Sequence, residues 1–174
     1  MNYVLTKDGA FVQRLDNNNF RFAPTVFQPA YSLSQEQMDT FGVKPFVEVP
    51  APVYDPVFQS LTDSGTELIN GEWTQVWTVA QLPMSASAPL IVQRIQQNLD
   101  AFAQTRNYDG ILSACTYASS TVTKFKDEGQ YCVDLRDNTW ATCYTLLAEV
   151  EAGTLSITSW AQLEALLPVP AWPA

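Results

Sequence analysis

The placement of proline constrains this chain more than any other feature. Eight of its eleven prolines fall within residues 1–89, none within 90–167, and the other three after 167. A proline in a helix interior costs about 3 kcal/mol, so a long stretch without one is free to be helical. The interrupted first half is pushed towards strands and turns instead. No internal repeat or low-complexity tract blurs the division. It predicts an α+β chain in three parts: an N-terminal antiparallel β-rich part with short strands and hairpins over 1–84, a helical part of about four helices over 85–167, and a proline-rich tail over 168–174.

Local signals refine the first half. Asp8-Gly9, between apolar runs at 3–5 and 11–15, and Asn70-Gly71 are both hairpin pairs, because a type I′ turn needs positive φ at its two central residues. Residues 16–19, Asp followed by three Asn, read as a turn cluster, and 34–38 as a single capped helical turn. The alternation of Val and Pro over 45–56 favours extended or edge backbone. A meander is expected over 58–79: strands at 58–61 and 66–69 around a turn at Asp63-Ser64-Gly65, then a third at 73–79. Trp73, Gln75, Trp77 and Val79 share one face of that third strand. The face has to be covered, and the helices of the second half are one candidate.

In the second half, Ser87 is expected to cap a helix with Pro89 in its opening turn. Ile91, Ile95, Leu99 and Phe102 then form a helical stripe. Tyr108-Asp109-Gly110 breaks the pattern before a short helix at 110–118, and Ser119-Ser120-Thr121 offers N-caps for a long helix from 123 to about 152. Phe125, Cys132, Leu135, Cys143, Leu146 and Val150 share one side of it, with Trp140, Tyr144 and Leu147 beside them. Gly129 is expected to weaken or kink this helix, and Gly153 to end it. A last helix starts at Ser159, where Ser-Trp-Ala-Gln fits a capping box, and runs to Leu167. The tail 168–173 is expected to be extended and exposed.

The inventory of reactive groups is sparse. The chain has no histidine, which excludes Ser-His and Cys-His catalysis and His-ligated metal. Nine basic residues against eighteen acidic ones leave a net charge of −9, which opposes nucleic acid and anionic lipid alike. Residues 73–93 are uncharged but too polar and proline-broken for a membrane span, and the first eight residues lack the regions of a signal peptide. No nucleotide, hydrolase or metalloprotease motif occurs. Three cysteines without a CxxC pair read as buried thiols of a reducing compartment. Cys132 and Cys143 lie about 16 Å apart along one helix and cannot pair; Cys115 is left able to meet either. Asp134 and Asp137 share a helix face and read as solvated carboxylates. No catalytic residue, cofactor or metal site is expected.

Two charged clusters stand out in the thinly charged helices: Arg106 to Asp109, and Arg136-Asp137. They are expected to form cross-helix salt bridges, Arg106 to Asp137 and Asp109 to Arg136, that set how the helices dock. Trp160 and Trp172 are the candidate interaction residues, since exposed tryptophan is a favoured interface anchor. Trp73, Trp77 and Trp140 are assigned to packing.

Read with their surroundings, these clusters carry a resemblance. The pattern comprises Arg106-x-Tyr108-Asp109-x-Ile111-x-Ser113-Ala114-x-x-Tyr117-Ala118-Ser119, Phe125-x-x-Glu128-Gly129, Arg136-Asp137-x-x-Trp140-Ala141, Val150-x-x-Gly153 and Leu166-Leu167-Pro168. It resembles the C-terminal region of small tailed-phage proteins encoded near tail-fibre genes, known as tail-fibre assembly proteins or tail assembly chaperones. Residues 33–82 resemble them more loosely, through Leu33-Ser34-x-Glu36, Phe41-Gly42-Val43, Pro50-Ala51-Pro52-Val53-Tyr54-Asp55-Pro56 and Asn70-Gly71-x-Trp73-x-Gln75-x-Trp77. The chain departs from the pattern at Leu135, where tryptophan is expected. The resemblance implies a non-enzymatic protein that binds a tail fibre as its assembly chaperone in the host cytoplasm. The alternative is a structural tail component, a fibre, adaptor or baseplate subunit retained in the virion. The implied partner is a tail-fibre or baseplate protein, with self-association as a further possibility.

Overall fold

The computed structural model describes residues 2–15, 19–23 and 26–173; of the turn expected at 16–19, residues 16–18 lie outside these. The architecture is α+β, strands first and helices after. The chain divides into two units, residues 1–54 with 61–80, and residues 55–60 with 81–174. The division therefore falls at 80/81 and not 84/85, and the proline-rich segment belongs to the helical unit.

The first unit is built on a five-stranded sheet of order β2-β1-β5-β7-β6. β1 (Asn2–Lys7) and β2 (Ala10–Arg14) form the expected hairpin, with Asp8 and Gly9 at φ 52° and 79°. β3 (Asn19–Ala23) and β4 (Val26–Pro29) pair separately as a two-stranded ribbon. α1 (Gln35–Phe41) is longer than a single turn. Ser34 and Gln37 close a complete capping box at its start. β5 (Val43–Val47) pairs antiparallel with β1 and parallel with β7 (Glu72–Gln81). It is an interior strand, so Pro45 is extended as expected but not at an edge; pairing with β7 starts at Phe46, one residue beyond the proline. Tyr3, Leu15, Ala30, Leu33 and Val43 form the core of this unit.

The expected turn at 63–65 is absent. β6 (Gln59–Ile69) runs through it as one strand, with Gly65 at φ 110°. Asp63 accepts from the Gly65 amide at 2.9 Å, so the three residues read as a turn are accommodated within a continuous strand. β6 and β7 then join through Asn70 and Gly71, at φ 53° and 86°, the two-residue hairpin expected there. On the tryptophan-bearing face of β7, Trp73 and Trp77 are half-buried and Val79 is exposed. Trp77 Nε1 donates to the Val49 carbonyl at 2.8 Å, and Trp73 packs on Phe11 of β2 with centroids 6.1 Å apart.

The second unit holds the four helices. α2 (Met84–Gln104) starts earlier than expected, at N-cap Pro83. Ser87 is thus buried inside the helix and not its cap, and Pro89 falls in the second turn. α3 (Ile111–Thr116) has no cap of its own. Asp100 of α2 supplies one, accepting from the Ile111 amide at 2.8 Å. A 3-10 turn at Tyr117–Ser119 leads to α4 (Thr123–Glu151). At its end, Gly153 and Thr154 amides donate to Val150 and Glu149 carbonyls, the Schellman arrangement. α5 (Trp160–Glu164) is capped by Ser159 through Gln162, while Gln162 reaches back to the Thr158 amide, one residue beyond the expected box. The core comprises Ile95, Leu99, Ala103, Ile111, Ala114, Cys132 and Leu135. Among the described residues no helix is long and apolar enough to cross a membrane.

Candidate interaction surface

An apolar groove opens on the helical unit. One wall comes from α2, where Ala88, Ile91, Val92 and Ile95 recur at helical spacing. The other comes from α4, where Trp140, Cys143, Tyr144, Leu147 and Val150 do the same. Phe58 and Leu163 are buried at its base, 1% and 4% exposed. Asp55 holds the base in place: its carboxylate accepts from the amides of Val57 and Trp160, tying the 55–60 segment to the start of α5. The groove has a volume of about 150 Å³, and no residue lining it carries a charge at neutral pH. Val92 and Tyr144 are 52% and 72% exposed, so both helices carry apolar stripes wider than the core consumes. Concave apolar surface rimmed by solvent is the mark of a docking site.

The charged pairs differ from expectation. Arg106 pairs with Glu128, not Asp137. Arg136 bonds its own neighbour Asp137 at 2.7 Å, not Asp109. Asp109 is exposed, and its carbonyl accepts from Gln104 Nε2 at 3.1 Å. Neither expected pair forms: Arg106 lies in the turn after α2 and its acid is Glu128 of α4, well before the Arg136-Asp137 cluster expected to supply it. Glu128 is 3% exposed; Tyr108 Oη donates to its second oxygen at 2.7 Å. Burial alone raises the Glu128 carboxyl. Hydrogen bonds from Tyr108 and Arg106, with the charges of Arg106 and Lys124, outweigh it and hold the carboxyl below its ordinary range. Tyr108 is pushed up to about 12, first by burial and then by the carboxylate it faces.

This cluster continues outward. Tyr117 meets Tyr108 edge-on at 5.2 Å, and Phe125 meets Tyr117 at 5.9 Å. Gly129 carries no side chain because the backbone of the 3-10 turn lies against it. A Cβ there would sit 2.3 Å from the Ala118 nitrogen. The helix runs unbroken through Gly129, so the glycine serves close approach and not a kink. The residues that carry the phage-family resemblance thus include those that dock α2, the 3-10 turn and α4 together. Leu135, where the chain departs from the pattern, is buried in the core of the unit.

Neither candidate tryptophan is free. Trp160 packs into the core, with Arg94 over its ring at 5.6 Å, and its Nε1 is buried without a hydrogen-bond partner. Trp172 is docked, not exposed. It stacks on Phe102 at 4.3 Å and donates to Thr105 Oγ1 at 2.8 Å. The exposed anchors at the groove are Tyr144 and Leu147, which the sequence placed beside the buried stripe without separating them from it. Cysteine chemistry is muted. All three are thiols; burial pushes Cys115 and Cys143 up and Cys132 to about 11, away from the reactive thiolate range. Asp134 accepts from Gln130 at 2.9 Å on the helix surface, apart from Asp137 and its arginine. Comparison with family models, curated proteins and solved structures gives no match.

Proposed function

We propose that this chain is a non-enzymatic binding protein of a tailed phage that holds an unassembled tail-fibre polypeptide as its assembly chaperone. The observation that carries the reading is the charge-free groove between α2 and α4, a surface able to shield apolar segments. Fibre chains expose apolar surface and unpaired strand edges before they trimerise, which makes them prone to aggregate. A small acidic protein with an apolar groove offers temporary cover and keeps the complex soluble through its net charge of −9. The sequence pattern of the helical unit adds the phage context, and host cytoplasm is the compartment in which such assembly takes place.

Co-expression with the fibre encoded beside it tests the reading. Co-purification from lysate, together with absence from purified particles by mass spectrometry, is the expected result. Presence in particles at fixed copy number indicates a structural tail subunit instead, and no association in either fraction contradicts both.

A further inference from the structure

Residues 168–173 meet the helical unit as a ligand meets its site. The Trp172 ring lies on the Phe102 face with only 17° between planes. Its indole N–H is read by Thr105, and the Arg106 guanidinium covers the ring at 5.0 Å. The backbone on either side is read as well. Tyr131 Oη accepts from the Ala171 amide at 2.7 Å, and the Pro173 carbonyl accepts from Arg106 at 3.5 Å. Pro168, Pro170 and Pro173 have no amide to satisfy and pre-set an extended course. Those are the terms on which aromatic-lined pockets take proline-rich peptides.

The attachment is also local. Between Leu167 and Trp172 the segment passes over a cavity of about 400 Å³ floored by Ile95, Leu99 and Leu135, and Val169 is 87% exposed. Leaving the pocket therefore gives up one aromatic plug and two backbone contacts. The pocket walls come from the end of α2, the turn that follows it and α4. Arg106 and Tyr108, which both touch Trp172, are held from their other side by Glu128.

We infer that the Phe102–Thr105–Arg106–Tyr131 pocket is a recognition site for a tryptophan flanked by prolines in an extended polypeptide, held closed by the chain's own residues 168–173. A partner polypeptide presenting that chemistry is its exchange ligand. The tether keeps the internal segment at an effective concentration on the order of millimolar, so the site answers only to a partner held nearby or present at high concentration. This inference does not depend on the fibre reading or on the α2/α4 groove.

The test uses the full chain carrying Trp172→Ala and a fluorescein-labelled peptide of sequence Pro-Val-Pro-Ala-Trp-Pro-Ala, followed by anisotropy. The variant is expected to bind at least tenfold more tightly than wild type, whose site is occupied. A peptide with phenylalanine for tryptophan, lacking the indole N–H that Thr105 reads, is expected to bind several-fold more weakly. Equal binding by variant and wild type, or none by a variant whose circular dichroism and urea midpoint show it folded, overturns the inference. If Trp172→Ala does not fold, hydrogen exchange of the Trp172 indole in wild type decides. Exchange well ahead of the slowest core amides is the expected result. Exchange only with global unfolding makes the segment part of the core and overturns the site.

Discussion

Gly129 and Glu128 are neighbours with opposite demands, and each sets a condition that the docking of α4 must meet. At Gly129 the condition is space. Alanine is the better helix former by about 1 kcal/mol, yet its Cβ would stand 2.3 Å and 2.4 Å from backbone atoms of Ala118 and Tyr117. Overpacking against backbone outweighs the propensity gain, so Gly129→Ala is expected to lower stability by about 2 kcal/mol, read as a fall in the urea midpoint; a rise would mean that the 3-10 turn yields freely. At Glu128 the condition is charge. Its carboxyl is held below the ordinary 4.5, so its contribution is fully present above that value and fades as pH falls through the lower folded value. Glu128→Gln should cost about 2 kcal/mol at pH 7, allowing for the partial exposure of Arg106. The gap between variant and wild type should narrow as pH falls below the ordinary 4.5 and through the lower folded value. A gap independent of pH would assign the loss to packing alone. Neither role shows in residue spacing: Glu128 lies twenty-two residues from Arg106, and a glycine in a helix reads as a weakness until its neighbour is known.

Elements were legible in proportion to how local their determinants are. Asp8-Gly9 and Asn70-Gly71 specify their hairpins through two backbone angles each, and α4 ends at Gly153 by a cap of the same kind. Asp63-Ser64-Gly65 carries similar residues but folds as strand, because Asp63 is engaged elsewhere. Arg14 at the end of β2 forks onto Asp63 and also donates to Gly65 and Thr66 of β6. β2 and β6 are the two edges of the sheet, so the sheet curls until its edges come within reach of one side chain. The arginine holds the Asp63 carboxyl far below the usual carboxylate range. Lysine has the charge but not the fork. Arg14→Lys is accordingly expected to speed amide exchange on β2 and β6 while leaving α2 and α4 unchanged; unaltered exchange on both strands would remove the arginine from the closure. Trp172 shows the same limit from the other side, since a proline-rich segment reads as extended, exposed chain until the pocket that receives it is seen.

For the molecule as a whole, the division into a β-rich and a helical part followed from proline placement, and the stripes of α2 and α4 followed from periodicity. Which apolar residues of those stripes stay in water did not, because that depends on how far the neighbouring helix stands off. Val92 and Leu147, 52% and 39% exposed, are among the groove residues the core leaves over, and under the proposed function they are contacts offered to the fibre. Substituting them with charge, Val92→Lys with Leu147→Glu, should change folding stability by less than about 1 kcal/mol, as expected of surface positions. The most direct measurement is the yield of fibre trimer when the fibre is co-expressed with this protein or with that double variant, scored on a gel that preserves trimers. Abundant trimer with wild type, and loss of trimer with aggregated fibre for the folded variant, is the expected result. Normal trimer without the protein, or with the variant, would contradict it.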